Sequence, residues 1–377
     1  MQKVIDCDRH VIEPVEIWKE YISKEVYEKT PIWLKPASAE IDLKDESGKQ
    51  IPIPPSYMVG EEPVFSNWGK DLQIASALIN SESINERISA TNPIDHLEEL
   101  NRTGVDKAII YPTFAGLIVN HSKVDALTSR EFAKGYNRWI EDYCNYAKDR
   151  FIPAYLISRH DPSSLLEQVE DAVRKGWSAL ALRPEPILGI SLGDDRYEQF
   201  WQACAHHELA VTFHGGTHLQ GETVGMDRFK NRFSLHACSH PMEAQMAFVS
   251  LLESGVFERN PKLKIAFLEA GCSWVPHWLW RLDNICHNEF PSITHTNIRM
   301  RPSEYFIRHC WVGVEIGEPI SETVNAIGHE KLIFGSDYPH PDHLHFDLAQ
   351  MANEMPSLSN EQISDILQNN PRPLFNL

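Results

Sequence analysis

Short β-branched runs alternate with helix-length amphipathic segments along most of this chain. The runs that predict strands are Val4–Asp8, Val105–Tyr111, Phe151–Ile157, Ala179–Arg183, Ala210–His214, Lys264–Glu269, Trp311–Glu315 and Lys331–Asp337. Interiors such as AIIY, LAL, VTF, IAFL and LIFG are nearly unbroken apolar stretches. That is the pattern of parallel strands covered on both faces.

The intervening segments carry helix punctuation. Asn92-Pro93 reads as an N-cap followed by proline at the first helical position, with Gly104 closing the helix. Asp161-Pro162 repeats the device, with Gly176 at the far end. Ser122 is placed to cap a helix over 123–148, Gly255 ends one that starts near Pro241, and residues 359–369 predict a final helix. Eight strand–helix alternations predict an α/β fold, a (β/α)8 TIM barrel, as one domain over 1–377. A doubly wound open sheet is the competing architecture, but no GxGxxG follows the first strand. Two long insertions interrupt the repeat. Residues 27–90, after strand 1, are rich in proline and polar residues, and residues 215–240, after strand 5, hold glycines and several histidines. Loops of that length in a barrel are expected to act as lids.

Composition narrows the classes. Of the 377 residues, 53 are acidic and 35 basic, giving a net charge of -18. With no Lys/Arg-rich run, nucleic acid and anionic membranes are poor partners. No apolar stretch is long enough for a membrane span, and no secretory leader is recognisable at MQKVIDCDRH. Seven scattered cysteines with no CxxC suit free thiols in the cytoplasm. The reading is a cytoplasmic protein acting on a small-molecule substrate, and the N-terminal excursion and surface aromatics suit a homodimer.

Polar residues gather where the predicted strands end. Asp8 and His10 lie at the first, His214 at the fifth, Glu269 at the sixth, Glu315 at the seventh and Asp337 at the eighth. In barrel enzymes those ends converge on the active site, and mixed carboxylate and imidazole donors form a divalent-metal ligand set. Glu315 reads as structural, His160 as a loop histidine near a helix start, and Trp274, Trp278 and Trp280 as core or subunit interface. Arg183 has two readings, a bidentate contact to a substrate carboxylate or an ordinary salt bridge.

Several segments resemble one family in order along the chain. DCDRHVIEP (6–14), LAVTFHGG (209–216), GVFERNPKLKIAFLEAGCSWVP (255–276), LIFGSDYPHPD (332–342) and the closing NNPRPLF are similar to motifs of the amidohydrolase-related proteins, the branch that includes aromatic-acid decarboxylases. The resemblance implies that Asp8, His10, His214 and Asp337 surround a divalent metal, Zn or Mn. It also implies hydrolysis or nonoxidative decarboxylation of a small organic acid. Asp337 would orient or accept a proton, and His340 would contact substrate or support it. One departure stands out: Glu269 occupies the sixth-strand position where the family usually carries a histidine. With Glu269 and His214, His236 and His240 in SLHACSHP would complete a second metal site. That set resembles a smaller group on the same fold, non-haem oxygenases with two Fe or Fe/Mn. Both readings, as the two resemblances imply them, stay open.

Overall fold

The computed structural model describes residues 3–36, 48, 55–64, 81–216, 222–230, 232–340 and 347–377. Eight parallel strands form the centre: β1 (Val4–His10), β5 (Val105–Tyr111), β6 (Phe151–Leu156), β7 (Ala179–Leu182), β8 (Ala210–His214), β9 (Lys264–Leu268), β10 (Cys310–Val314) and β11 (Leu332–Phe334). They pair in that order, each with the next. The circle closes beyond the last ladder, where Asp337 N–H donates to Asp8 O (2.8 Å) and His10 N–H donates to Tyr338 O (2.7 Å). The predicted TIM-barrel architecture is therefore the observed one.

The interior explains why the apolar runs are continuous. Ile5, Cys7, Ile109, Ala154, Ala179, Ala210, Ala266 and Ile333 fill the barrel, and Leu374 and Phe375 of the final helix plug its lower end. A larger apolar layer lies between strands and helices, so each strand is buried on both sides. With Ala181, alanines at five interior positions leave room for the bulky partners across the barrel.

Several boundaries differ from expectation. β1 runs two residues further, and β11 covers only Leu332–Phe334, so Asp337 sits in the loop three residues beyond it. The helix expected from Ser122 begins at Ala126 instead, capped by Asp125, whose side chain accepts from Thr128 N. Asp125 starts the periodic face, whereas residues 122–124 form a turn before it. Asn92 and Asp161 cap as anticipated, and Gly104, Gly176 and Gly255 all have positive φ. The first insertion carries a small antiparallel sheet, β2 (Ile32–Lys35), β3 (Ser56–Val59) and β4 (Glu62–Pro63), and a helix, Ser81–Ser89. Residues 37–47, 49–54 and 65–80 of the 27–90 lid, and 217–221 and 231 of the 215–240 lid, lie outside the described residues.

Candidate metal centre

The aim of β1 depends on a bulge. Asp6 pairs with Ala108 and Arg9 with Ile110, so three residues advance on β1 against two on β5. Strict alternation from the inward-facing Ile5 and Cys7 would send Asp8 and His10 outward, toward the helices. The bulge reverses the parity after Cys7 and turns both into the barrel mouth. Asp6 and Arg9 take the outward places, where they pair at 3.3 Å, fully buried. Arg9 Nε also donates to His96 Nε2 (2.8 Å), and Asp6 accepts from Ser336 N and Oγ (2.9 and 2.6 Å). Removing one partner of such a buried pair typically costs about 3–5 kcal/mol. That pair ties β1 to the loop carrying Asp337. Gly335 completes the fit, because a Cβ there would lie 2.5 Å from Asp8 Cβ.

Four side chains converge at the mouth. His10 Nε2 lies 3.2 Å from Asp8 Oδ1, 3.4 Å from Asp337 Oδ1 and 2.8 Å from His214 Nε2; His214 Nε2 lies 3.3 Å from Asp8 Oδ1. Donor atoms from all four fall within 4.8 Å of one another. The tautomers sharpen the meaning. His10 Nδ1 faces Pro112 O (2.9 Å) and His214 Nδ1 faces Gly215 O (3.0 Å), and a carbonyl can only accept. Each neutral ring therefore carries its hydrogen on Nδ1 and points its Nε2 lone pair at the other's. Two lone pairs and two carboxylates facing one point repel unless a cation lies among them. Asp8 Oδ1, buried and without a conventional hydrogen bond, has the same requirement. The donor set fits a divalent metal. In its absence a proton is drawn in. Burial opposes charge on His214, yet Asp8 and Glu269 outweigh it and raise its pKa to about 9. For Asp8, burial favours the neutral acid, but His214 and His10 more than offset it and hold the pKa below the carboxylate range.

Asp337 and Glu269 both adopt positive φ (53° and 48°). Non-glycine residues held there store roughly 1–3 kcal/mol of strain, which tends to mark functional positions. Asp337 Oδ1 lies 2.6 Å from His340 Nδ1, and His340 Nε2 meets Thr113 Oγ1 at 2.9 Å. Glu269, Asp337 and His340 make a second group of converging donors. Glu269 Oε2 lies 3.3 Å from His214 Nε2, and Oε1 lies 3.4 Å from His240 Nε2. His236 stands one step further out, with Nδ1 3.3 Å from His240 Nδ1. Neither His236 nor His240 belongs to either converging group among the described residues. Beside the centre opens a cavity of about 450 Å³, with polar Asp8, Glu269 and Asp337 on one side and apolar Phe233, Val314 and Ile316 among its walls.

Other candidates fall elsewhere. Arg183 is not poised for a substrate carboxylate: Nε donates to Glu185 Oε1 (2.8 Å) and its terminal nitrogens donate to Gly215 O and Gly216 O. Its work is to hold the chain after His214. His160 lies in the loop before the helix that starts at Pro162 and is buried there, bonded to Ser129 Oγ and His121 O. Glu315 lines the cavity, and its N–H donates to Glu318, which also gathers the Cys272 and Ser273 amides below Glu269. Trp274 and Trp278 pack against the core, whereas Trp280 is exposed. Sequence reasoning missed Glu13 and Thr113. Glu13 stood inside the quoted DCDRHVIEP segment, while nothing in PTFAG hinted that Thr113 reaches His340.

The comparisons with known proteins agree on one relationship. The sequence model of the amidohydrolase family matches residues 5–377. The 2-amino-3-carboxymuconate-6-semialdehyde decarboxylase of Dictyostelium discoideum is 26% identical over 255 residues, 66% of this chain and 67% of that one. An amidohydrolase from Mycobacterium avium subsp. paratuberculosis superposes with a TM-score of 0.78 at 20% identity, covering 99% and 97% of the two chains. The 5-carboxyvanillate decarboxylase of Novosphingobium aromaticivorans, solved with bound manganese and 3-methoxy-4-hydroxy-5-nitrobenzoic acid, gives 0.70 at 17% identity over 100% and 97%. Nothing in these relatives supports the Fe or Fe/Mn oxygenase alternative.

Proposed function

The chain belongs to the amidohydrolase family, and from that premise we propose that it is a metal-dependent, nonoxidative decarboxylase of a small aromatic or enol-type carboxylic acid. The observation that carries the reading is the convergence of Asp8, His10, His214 and Asp337 beside a cavity with apolar walls. The relatives named for decarboxylation of a carboxymuconate semialdehyde and of a carboxyvanillate support it. Manganese is the metal we assign. Two carboxylates in the set, with Glu269 adjacent, favour a hard cation more than an imidazole-only site would, and a neighbouring structure holds manganese.

When bound, a divalent ion supplies positive charge that draws in the substrate's oxygen donors and stabilises negative charge developing on them. The chain's own residues do the rest. Asp8, His10 and His214 fix the position of that charge. Val314 and Ile316 exclude water from one flank of the cavity. Asp337, 2.6 Å from His340, is the group placed to take up the proton that the substrate's hydroxyl group gives up and to deliver it to the carbon that loses its carboxylate. Protonation there adds one C–H bond, the C–C bond then breaks, and its electron pair stays with the carbon as CO2 departs.

The test is to strip the protein of metal and reload it with Mn2+ or Zn2+. Hydroxybenzoic acids with a carboxylate beside the hydroxyl, and carboxymuconate-type semialdehydes, are then offered. CO2 release with one proton gained at the vacated carbon is expected, fastest with Mn2+. Hydrolysis of esters, amides or lactones without CO2 from any of these acids would overturn the reading.

A further inference from the structure

We propose that Glu13 is a positioning residue for the metal centre, acting through the turn at 112–115. The inference rests on reading Asp8, His10, His214 and Asp337 as the metal site. Glu13 leaves β1 three residues past His10 and is completely buried. Its Oε1 accepts from Thr113 N and Ala115 N (both 3.0 Å), and its Oε2 accepts from Phe114 N (3.0 Å). Three consecutive amides bound to both oxygens of one carboxyl group leave the turn no freedom to rotate or slide.

Two groups on that turn reach the centre. Pro112 O takes the Nδ1–H of His10, which leaves the Nε2 lone pair facing the other ligands. Thr113 Oγ1 meets His340 Nε2, and His340 Nδ1 lies 2.6 Å from Asp337 Oδ1. The rings of His10 and His340 lie against each other, with centroids 4.1 Å apart, so a displaced turn disturbs both. The small sheet grips the same turn from outside. Tyr57 on β3 donates to Glu13 O (2.5 Å) and stacks on Phe114 at 4.2 Å between centroids. One carboxyl group thus sets the orientation of a ligand and, through the Thr113–His340 hydrogen bond and the His340–Asp337 contact, the surroundings of the proton donor. Partners that orient metal ligands commonly change metal affinity by roughly 10–100-fold.

The experiment uses the full chain, stripped of metal and titrated with Mn2+ by calorimetry. The ring nitrogens of His10 and His340 are followed by 15N NMR in the metal-free protein. Glu13→Gln puts an N–H2 against an amide donor and is expected to weaken Mn2+ binding by roughly 10–100-fold. The slowly exchanging His10 Nδ1–H signal should disappear with it. Thr113→Val leaves the three amides in place, so it should alter the His340 nitrogens, keep the His10 Nδ1–H signal and weaken Mn2+ binding less than Glu13→Gln does. Should Glu13→Gln fail to fold, Glu13→Asp, which withdraws the carboxyl group by one methylene, is read the same way. Parent-like affinity in the Glu13 variant, or weakened affinity with the His10 signal intact, would overturn the proposal. Failure of decarboxylation with normal Mn2+ binding would count against the proposed reaction alone.

Discussion

The two sides of the barrel mouth are held in different ways. Around the first converging group most side chains have a second partner: His10 of β1 on Pro112 O, His214 of β8 on Gly215 O, and Asp337, beyond β11, against His340, which meets Thr113. On the β9 side Glu269 bridges two histidines, and His240 rests on Ser239 Oγ and on His236. Those last residues belong to the short helix Arg232–Ser239 and its boundary, beside Phe233, which is 78% exposed. The lesson is a division of labour. A cation needs donors at fixed distances, so its side is anchored to the barrel. A substrate needs a wall that adapts to its shape, so the other side is built on the second insertion.

The strongest way to break this comparison is Asp337→Asn. Asparagine tolerates the left-handed backbone at this position better than other neutral residues, so the fold should survive. It cannot deliver the proton, and loss of a positioned general acid typically costs about 10²–10⁴ in rate. Decarboxylation should fall by that factor with an unchanged unfolding midpoint. Parent-like turnover would remove Asp337 from the reaction.

A smaller effect sharpens the contrast on the adaptable side. Glu243 lies beneath the second insertion, where its carboxyl group accepts from Val224 N. Burial and the like charge of Glu185 raise its pKa from 4.5 to about 7. A raised carboxyl pKa means the folded state holds the proton more tightly than the unfolded one. The resulting stabilisation is complete below pH 4.5 and is lost as pH rises through about 7. Glu243→Gln keeps a neutral side chain at every pH. Its denaturant midpoint should therefore gain on the parent's steadily from pH 5 to pH 8. A difference that stays constant over that range would show that Glu243 does not titrate between folded and unfolded states.

How much of this was legible in the sequence follows from the physics of each part. The barrel was, because strands buried on both faces must be apolar throughout, and runs such as IAFL and LIFG have few other uses. The four converging residues were visible as polar breaks at the ends of those runs. Their convergence was not, since it depends on a bulge between Asp6 and Arg9 that inverts the parity of β1. Alternation alone would have pointed Asp8 and His10 at the helices. The choice between the two readings of Arg183 was not legible for a related reason. A charged or imidazole side chain after a strand looks the same in sequence whether it faces substrate or a backbone carbonyl. Glu13 was hidden because its partners, the amides of 113–115, lie a hundred residues away and have no side-chain signature.

The central claim is that one side of the mouth holds a metal ion and the other does not. Stoichiometric titration of the metal-stripped protein with Mn2+, with elemental analysis of the loaded product, tests it most directly when His240→Gln is run alongside. One ion per chain in both proteins, with affinities within about threefold of each other, is the predicted result. Two ions per chain in the parent, one of them lost in His240→Gln, would contradict the account and make Glu269, His236 and His240 a second metal site.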